Sequence, residues 1–246
     1  MSTFLKTSWY SHRVERNVTF VRWGYFGQPV FIFPTAGGDA EEIERFLLIR
    51  ALGPLIGAGR IKVYSCDSVA GAAWFAPEGS IEHRMWLMNA FQRYVRHEVV
   101  PAIYADCRTD GIPIWTAGAS IGALHAVAML CRYPHIFGRA LAMSGTYDIL
   151  RFAGIDRYTE DYYKATPMRF LRNLDGDHLA LLQQRFILLA SGEGHAENIG
   201  ESWALARLLG EKSVPNWVDS WGPGWAHDWP TWRAMMPKYL GEWTHG

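Results

Sequence analysis

Apolar positions along this 246-residue chain fall into short continuous runs, separated by longer stretches in which they recur at helical spacing. The run Pro29-Val30-Phe31-Ile32-Phe33 has no polar residue and stops at Pro34-Thr35-Ala36-Gly37-Gly38, which predicts a strand buried on both faces. Ahead of it, residues 8–14 and 17–25 alternate loosely around a charged break, as an antiparallel hairpin at a sheet edge would. Asp39 then caps a predicted helix with Glu41, Glu42 and Glu44 in its first turn and Ile43, Phe46, Leu47 and Ala51 on its apolar face. The alternation continues as a strand at 60–65, a long helix at 80–105, a strand at 112–117 and a helix at 121–132. Strands at 140–143, 185–190 and 214–220 follow, with helices at 202–212 and 231–243. Such alternation predicts an α/β chain, a mostly parallel central sheet with helices on both faces. Residues 147–184 break the pattern into aromatic, charged and helical pieces and are expected to form a small insertion after the sixth strand, over the C-terminal edge of the sheet. With no repeat, low-complexity tract or linker, residues 1–246 read as a single domain.

Composition narrows the function classes. Lys plus Arg equals Asp plus Glu at 24 each, so nothing favours nucleic acid or an anionic membrane as partner. No apolar run approaches the roughly 20 residues that span a bilayer. The first ten residues carry one Lys and no apolar core segment, unlike a signal peptide. Cys66, Cys107 and Cys131 are odd in number and widely spaced, against both a disulfide framework and a zinc site, and a reducing cytoplasm is the simplest setting.

Chemistry enters at Gly118-Ala119-Ser120-Ile121-Gly122, between the strand at 112–117 and the helix at 121–132. A Gly-x-Ser-x-Gly sequence in that context is a strand-to-helix turn so tight that the nucleophile is strained, and side chains two residues to either side would collide. Ser120 would stand at a helix N-terminus, where developing negative charge is favoured. A serine hydroxyl needs a base, and the base needs an acid to orient it. Of nine histidines, His227 lies after the last strand and before the last helix, on the sheet edge that carries Ser120. His125 is on the helix that follows Ser120 and is expected to pack there. His195 precedes the last strand, where the acid belongs. The loop after 185–190 offers Glu193 and Glu197, and Asp148 follows the strand at 140–143; all three remain candidates for the acid. The N–H groups of Ile121 and Ala36 are the expected oxyanion donors.

With these residues in place, the chain resembles the putative esterase family of α/β hydrolases, which includes esterase D-type, feruloyl and enterochelin esterases and the antigen 85 mycolyltransferases. The resemblance spans about residues 29–240. It rests on Pro34-Thr35-Ala36-Gly37-Gly38-Asp39, the Ser120 pentapeptide, Met143-Ser144-Gly145-Thr146-Tyr147-Asp148 and His227-Asp228-Trp229-Pro230-Thr231-Trp232. It implies an α/β-hydrolase fold and favours Glu197 over Glu193 as the acid. Many relatives have His-Gly where this chain has Pro34-Thr35, so the substrate-side surface there does not carry over.

The implied chemistry is two-step cleavage of a small-molecule carboxylic ester through an acyl-enzyme on Ser120, with no cofactor or metal. Acyl transfer, thioester cleavage and a non-catalytic binding member of the fold are the rivals. Oligomeric state is left open, a homo-oligomer included. Twelve Trp are present, five of them between Trp217 and Trp232; most are expected to pack, with Trp225 and Trp229 suspected of lining the pocket. Thr35, Asp67 and Trp74 are further pocket candidates.

Overall fold

The computed structural model describes residues 3–76 and 79–245. Its strands are β1 (Phe4–Ser11), β2 (Arg16–Trp23), β3 (Gln28–Phe33), β4 (Ile61–Cys66), β5 (Ile114–Ala119), β6 (Phe137–Met143), β7 (Phe186–Ser191) and β8 (Asn216–Ser220). They form an eight-stranded sheet in the order β1-β2-β4-β3-β5-β6-β7-β8. β1 pairs antiparallel with β2, and β2 with β4; every other pairing is parallel. The N-terminal hairpin is therefore the sheet edge that its looser alternation predicted.

The helices are α1 (Glu42–Arg45), α2 (Leu48–Gly57), α3 (Val69–Phe75), α4 (Ile81–Tyr94), α5 (Val100–Cys107) and α6 (Ile121–Arg132). After β6 come α7 (Ile149–Phe152), α8 (Glu160–Ala165), α9 (Pro167–Phe170) and α10 (Gly176–Leu182), and then α11 (Ile199–Glu211) and α12 (Trp229–Trp243). The long helix expected over 80–105 is α4 and α5 joined through a π-helical turn, Val95–Val99. The single helix expected after Asp39 is instead two, because Leu47 adopts a left-handed conformation (φ 63°) between α1 and α2. The four short helices α7 to α10 occupy the predicted insertion.

The central strands are apolar on both faces because each face is covered. Phe31 and Phe33, Ala140 and Ala142, and Ile187 and Leu189 belong to a core shared with α4, α5, α6 and α11. The alternate residues Val30, Ile32, Leu141, Met143 and Leu188 belong to a second core, under α2 and α12. This period-two division is what a parallel strand between two helical layers requires. No helix among the described residues is long and apolar enough to cross a membrane.

Candidate active site

Two strands end in strained serines that stand side by side. Ser120 follows β5 with φ 57° and ψ −124°, and its N–H donates to the Met143 carbonyl at 3.0 Å. A Cβ on Gly118 would lie 2.4 Å from the Gly122 carbonyl carbon, and one on Gly122 would lie 2.7 Å from the Phe33 oxygen. Both glycines are thus required by close backbone approach, as the tight turn demanded. The second contact also places the start of α6 against the end of β3. The loop Thr35-Ala36-Gly37-Gly38 leaves from there, so the suggested donors Ala36 and Ile121 belong to adjoining segments. Ser144 follows β6 with φ 48°, and its N–H donates to the Ala190 carbonyl at 2.8 Å.

The loop after β7 and the loop after β8 are laced together. Gly194 N–H donates to the Trp225 carbonyl (2.9 Å), Glu193 N–H to Gly222 (2.9 Å) and His227 N–H to His195 (3.0 Å). A Cβ on Gly192 would come within 2.0 Å of the Trp225 oxygen, so that position admits only glycine. This lacing brings Glu197 to His227: Oε2 lies 3.6 Å from Nδ1, with the carboxylate side chain 1% exposed and the imidazole 24%. The remaining capacity of Glu197 is taken by hydroxyls, Oε1 accepting from Ser144 and Oε2 from Ser191 at 3.2 Å. Ser144 in turn accepts from the Trp232 indole N–H at 2.9 Å. Burial alone would raise the Glu197 pKa, but the His227 imidazole and the hydroxyls of Ser144 and Ser191 outweigh it and hold the carboxyl below its ordinary range.

The other acid candidates are engaged elsewhere. Glu193 is exposed and accepts from the Ser220 hydroxyl. Asp148 is buried in the insertion, where it accepts from Tyr162 (2.9 Å), pairs with Arg169 (2.6 Å) and caps α7. Among the other histidines, His125 is buried against Phe33 and Phe91, and burial pulls its pKa down to about 3.

Ser120, Ile121 and His227 face one cavity of about 490 Å³, together with Ser144 and, of the expected pocket residues, Trp74. The other four expected pocket residues are not among those that face it. Thr35 donates through its N–H and its hydroxyl to the buried Glu42 and lines a small crevice instead. Asp67 accepts from Thr19 N–H (2.7 Å) and Ala40 N–H (3.0 Å), tying the hairpin to the loop after β3. Trp225 packs edge-on to Trp221, and Trp229 stacks on Phe46 at 4.7 Å. The cavity wall that sequence reasoning missed comes from the insertion and the first turn of α11: Ile149, Ala153, Ile155 and Glu201. Only the failure of the strand-helix alternation over 147–184 signalled such a wall.

A family model described as a putative esterase matches residues 57–242. No curated protein matches the sequence. Among solved structures, the chain is similar to a ferulic acid esterase, with TM-score 0.75, 15% identity, and coverage of 98% of this chain and 97% of that one. It is also similar to fluorophosphonate-binding serine hydrolase F of Staphylococcus aureus, with TM-score 0.68, 12% identity and coverage of 99% and 98%. For MPT51 of Mycobacterium tuberculosis the TM-score is 0.69, at 16% identity and coverage of 100% and 99%. At these identities the likeness is one of fold.

Proposed function

The chain belongs to the putative esterase family and is a carboxylic ester hydrolase of the α/β-hydrolase fold, and from that premise we propose that it works through an acyl-enzyme on Ser120. In this reading His227 takes the Ser120 proton as the hydroxyl attacks the ester carbonyl, and Glu197 holds the imidazole with Nε2 turned to the serine. The N–H groups of Ile121 and Ala36 stabilise the oxyanion. The alcohol leaves with the proton carried by His227, which then activates the water that releases the acid.

One observation carries the reading: Ser120 and His227 line one cavity, and the carboxylate of Glu197 lies 3.6 Å from the far nitrogen of that imidazole. Supporting it, the carboxyl is held below its ordinary range, so an anion stands behind the base through the neutral pH range. The assignment makes Glu197, not Glu193 or Asp148, the acid.

Ser120→Ala keeps the strained backbone and removes only the hydroxyl. Turnover of simple aryl esters should vanish and fluorophosphonate labelling with it, while the melting temperature moves little. A folded, active Ser120→Ala chain would falsify the assignment. For the acid, Glu197→Gln should lower kcat/KM by several orders of magnitude, whereas Glu193→Gln stays near wild type.

A further inference from the structure

The cavity beside Ser120 is apolar along most of its wall, where Trp74, Ile81, Ile149 and Ile155 face it. One carboxylate interrupts that wall. Glu201, in the first turn of α11, lines the same cavity with its side chain only 17% exposed. Its partners match its charge poorly. Oε2 accepts from Tyr147 N–H at a long 3.4 Å, and Oε1 is 4.0 Å from the Arg151 guanidinium, whose own side chain is 66% exposed. The pull of a cation so exposed and so far away is largely screened by water. Arg84, on α4, also lines the cavity and donates to the Ala76 carbonyl at 2.8 Å. The N-terminal turn of a 13-residue helix favours a negative charge where Glu201 stands.

An apolar group filling this cavity would cover Glu201 and strip it of water while adding no partner to the long contacts it has, a costly arrangement. A cationic donor reaching the same place would regain a charge-assisted hydrogen bond in a sheltered setting. We propose that Glu201 is a specificity determinant, and that the preferred ester carries an ammonium or similar cationic group on the portion seated between α7 and the first turn of α11. This rests on the serine-esterase reading of the site. It gives that reading a substrate class: amino-bearing esters, ahead of plain aliphatic or aryl ones.

The test compares matched ester pairs that differ only in an ammonium against a methyl group. One pair places the difference at the end of the acyl chain and the other at the end of the alcohol, which tells the two sources of the cation apart. In at least one pair the cationic member should have the higher kcat/KM, by on the order of tenfold or more. Glu201→Gln should erase most of that ratio and Glu201→Asp should keep part of it. Raising the salt concentration should compress the wild-type ratio, a readout that needs no variant. Preference for the methyl member in both pairs, or the same ratio in wild type and Glu201→Gln, overturns the assignment. A wild-type chain that cleaves no ester and is not labelled at Ser120 overturns the catalytic reading and this one with it.

Discussion

Ser144 holds a conformation that glycine would adopt more cheaply, so its hydroxyl must justify the strain. It accepts from the indole of Trp232 and donates to Glu197, filling the one carboxylate oxygen that does not face His227. Ser144→Ala strands a buried indole N–H and a buried carboxylate oxygen together. Urea titration should show a loss of about 1–3 kcal/mol, and kcat/KM should fall by roughly tenfold or more as the acid loses its fixed orientation. Ser144→Thr, which keeps the hydroxyl, should recover more of the rate than of the stability. A Ser144→Ala chain with wild-type kinetics would remove Ser144 from the support of Glu197. The contrast with Ser120 shows what a sequence makes legible at this scale. Ser120 is announced by two glycines within two residues of it. Ser144 works on a carboxylate 53 residues away, so no local pattern records the pairing. His227 and Glu197 fall between: their loops could be placed by strand counting, but the residues alone left Glu193 and Glu197 both open, only the family resemblance favoured Glu197, and its approach to His227 comes from how loops 192–197 and 222–227 lace together.

At the scale of elements, the site depends on the fit of α6 against the end of β3. An added Cβ at Gly122 would meet backbone oxygens of Phe33 and Pro34 at 2.7 and 2.8 Å, atoms that cannot move aside as a side-chain tip can. Gly122→Ala should therefore cost about 1–3 kcal/mol in unfolding free energy and widen the gap between Ile121 and Ala36. The loop after β3 is held from its other side by Glu42, which accepts from the N–H and hydroxyl of Thr35. Burial pushes the Glu42 carboxyl up, and the Thr35 bonds only partly offset this. Glu42→Ala should loosen the loop and lower kcat by on the order of 10- to 100-fold, with KM little changed; a KM effect alone would argue against an oxyanion role for Ala36. The order of strands and helices was legible because buried strands read as short, mostly apolar runs and helices as longer stretches with apolar residues at helical spacing. The break at Leu47 was not, since a left-handed leucine leaves no mark on periodicity. The insertion was visible as a failure of pattern, but its contribution to the cavity wall was not.

At the scale of the whole molecule, acid should be the main threat to stability. His125 is buried in the core with its pKa pulled down to about 3 by desolvation, against an ordinary 6.5. The unfolded chain binds that proton more readily, so stability contributed by neutral His125 is present above about pH 6.5 and is lost as the pH falls towards 3. Glu197, also depressed in the folded state, adds a second loss as the pH falls below its ordinary 4.5. Melting temperature measured from pH 7 to pH 4 should decline, with the decline beginning above the carboxylate range. His125→Leu should flatten the upper part of that decline and leave the lower part in place. An unchanged profile in His125→Leu would place the acid sensitivity elsewhere. Parallel strands that all end on one edge give the molecule its division of labour. Ser120, Ser144, Glu197 and His227 all lie beyond the C-terminal ends of strands, while the sheet beneath them fixes their spacing.

Trp232 has a consequence of a different kind. Its indole is buried, is bonded to Ser144 and meets the His227 ring edge-on with centroids 5.2 Å apart. A protonated imidazole quenches a neighbouring indole, so the charge state of the proposed base should be written into the light this one tryptophan emits. The difference in emission between wild type and Trp232→Phe, followed through a pH titration or during turnover, would report when His227 carries a proton without any added dye.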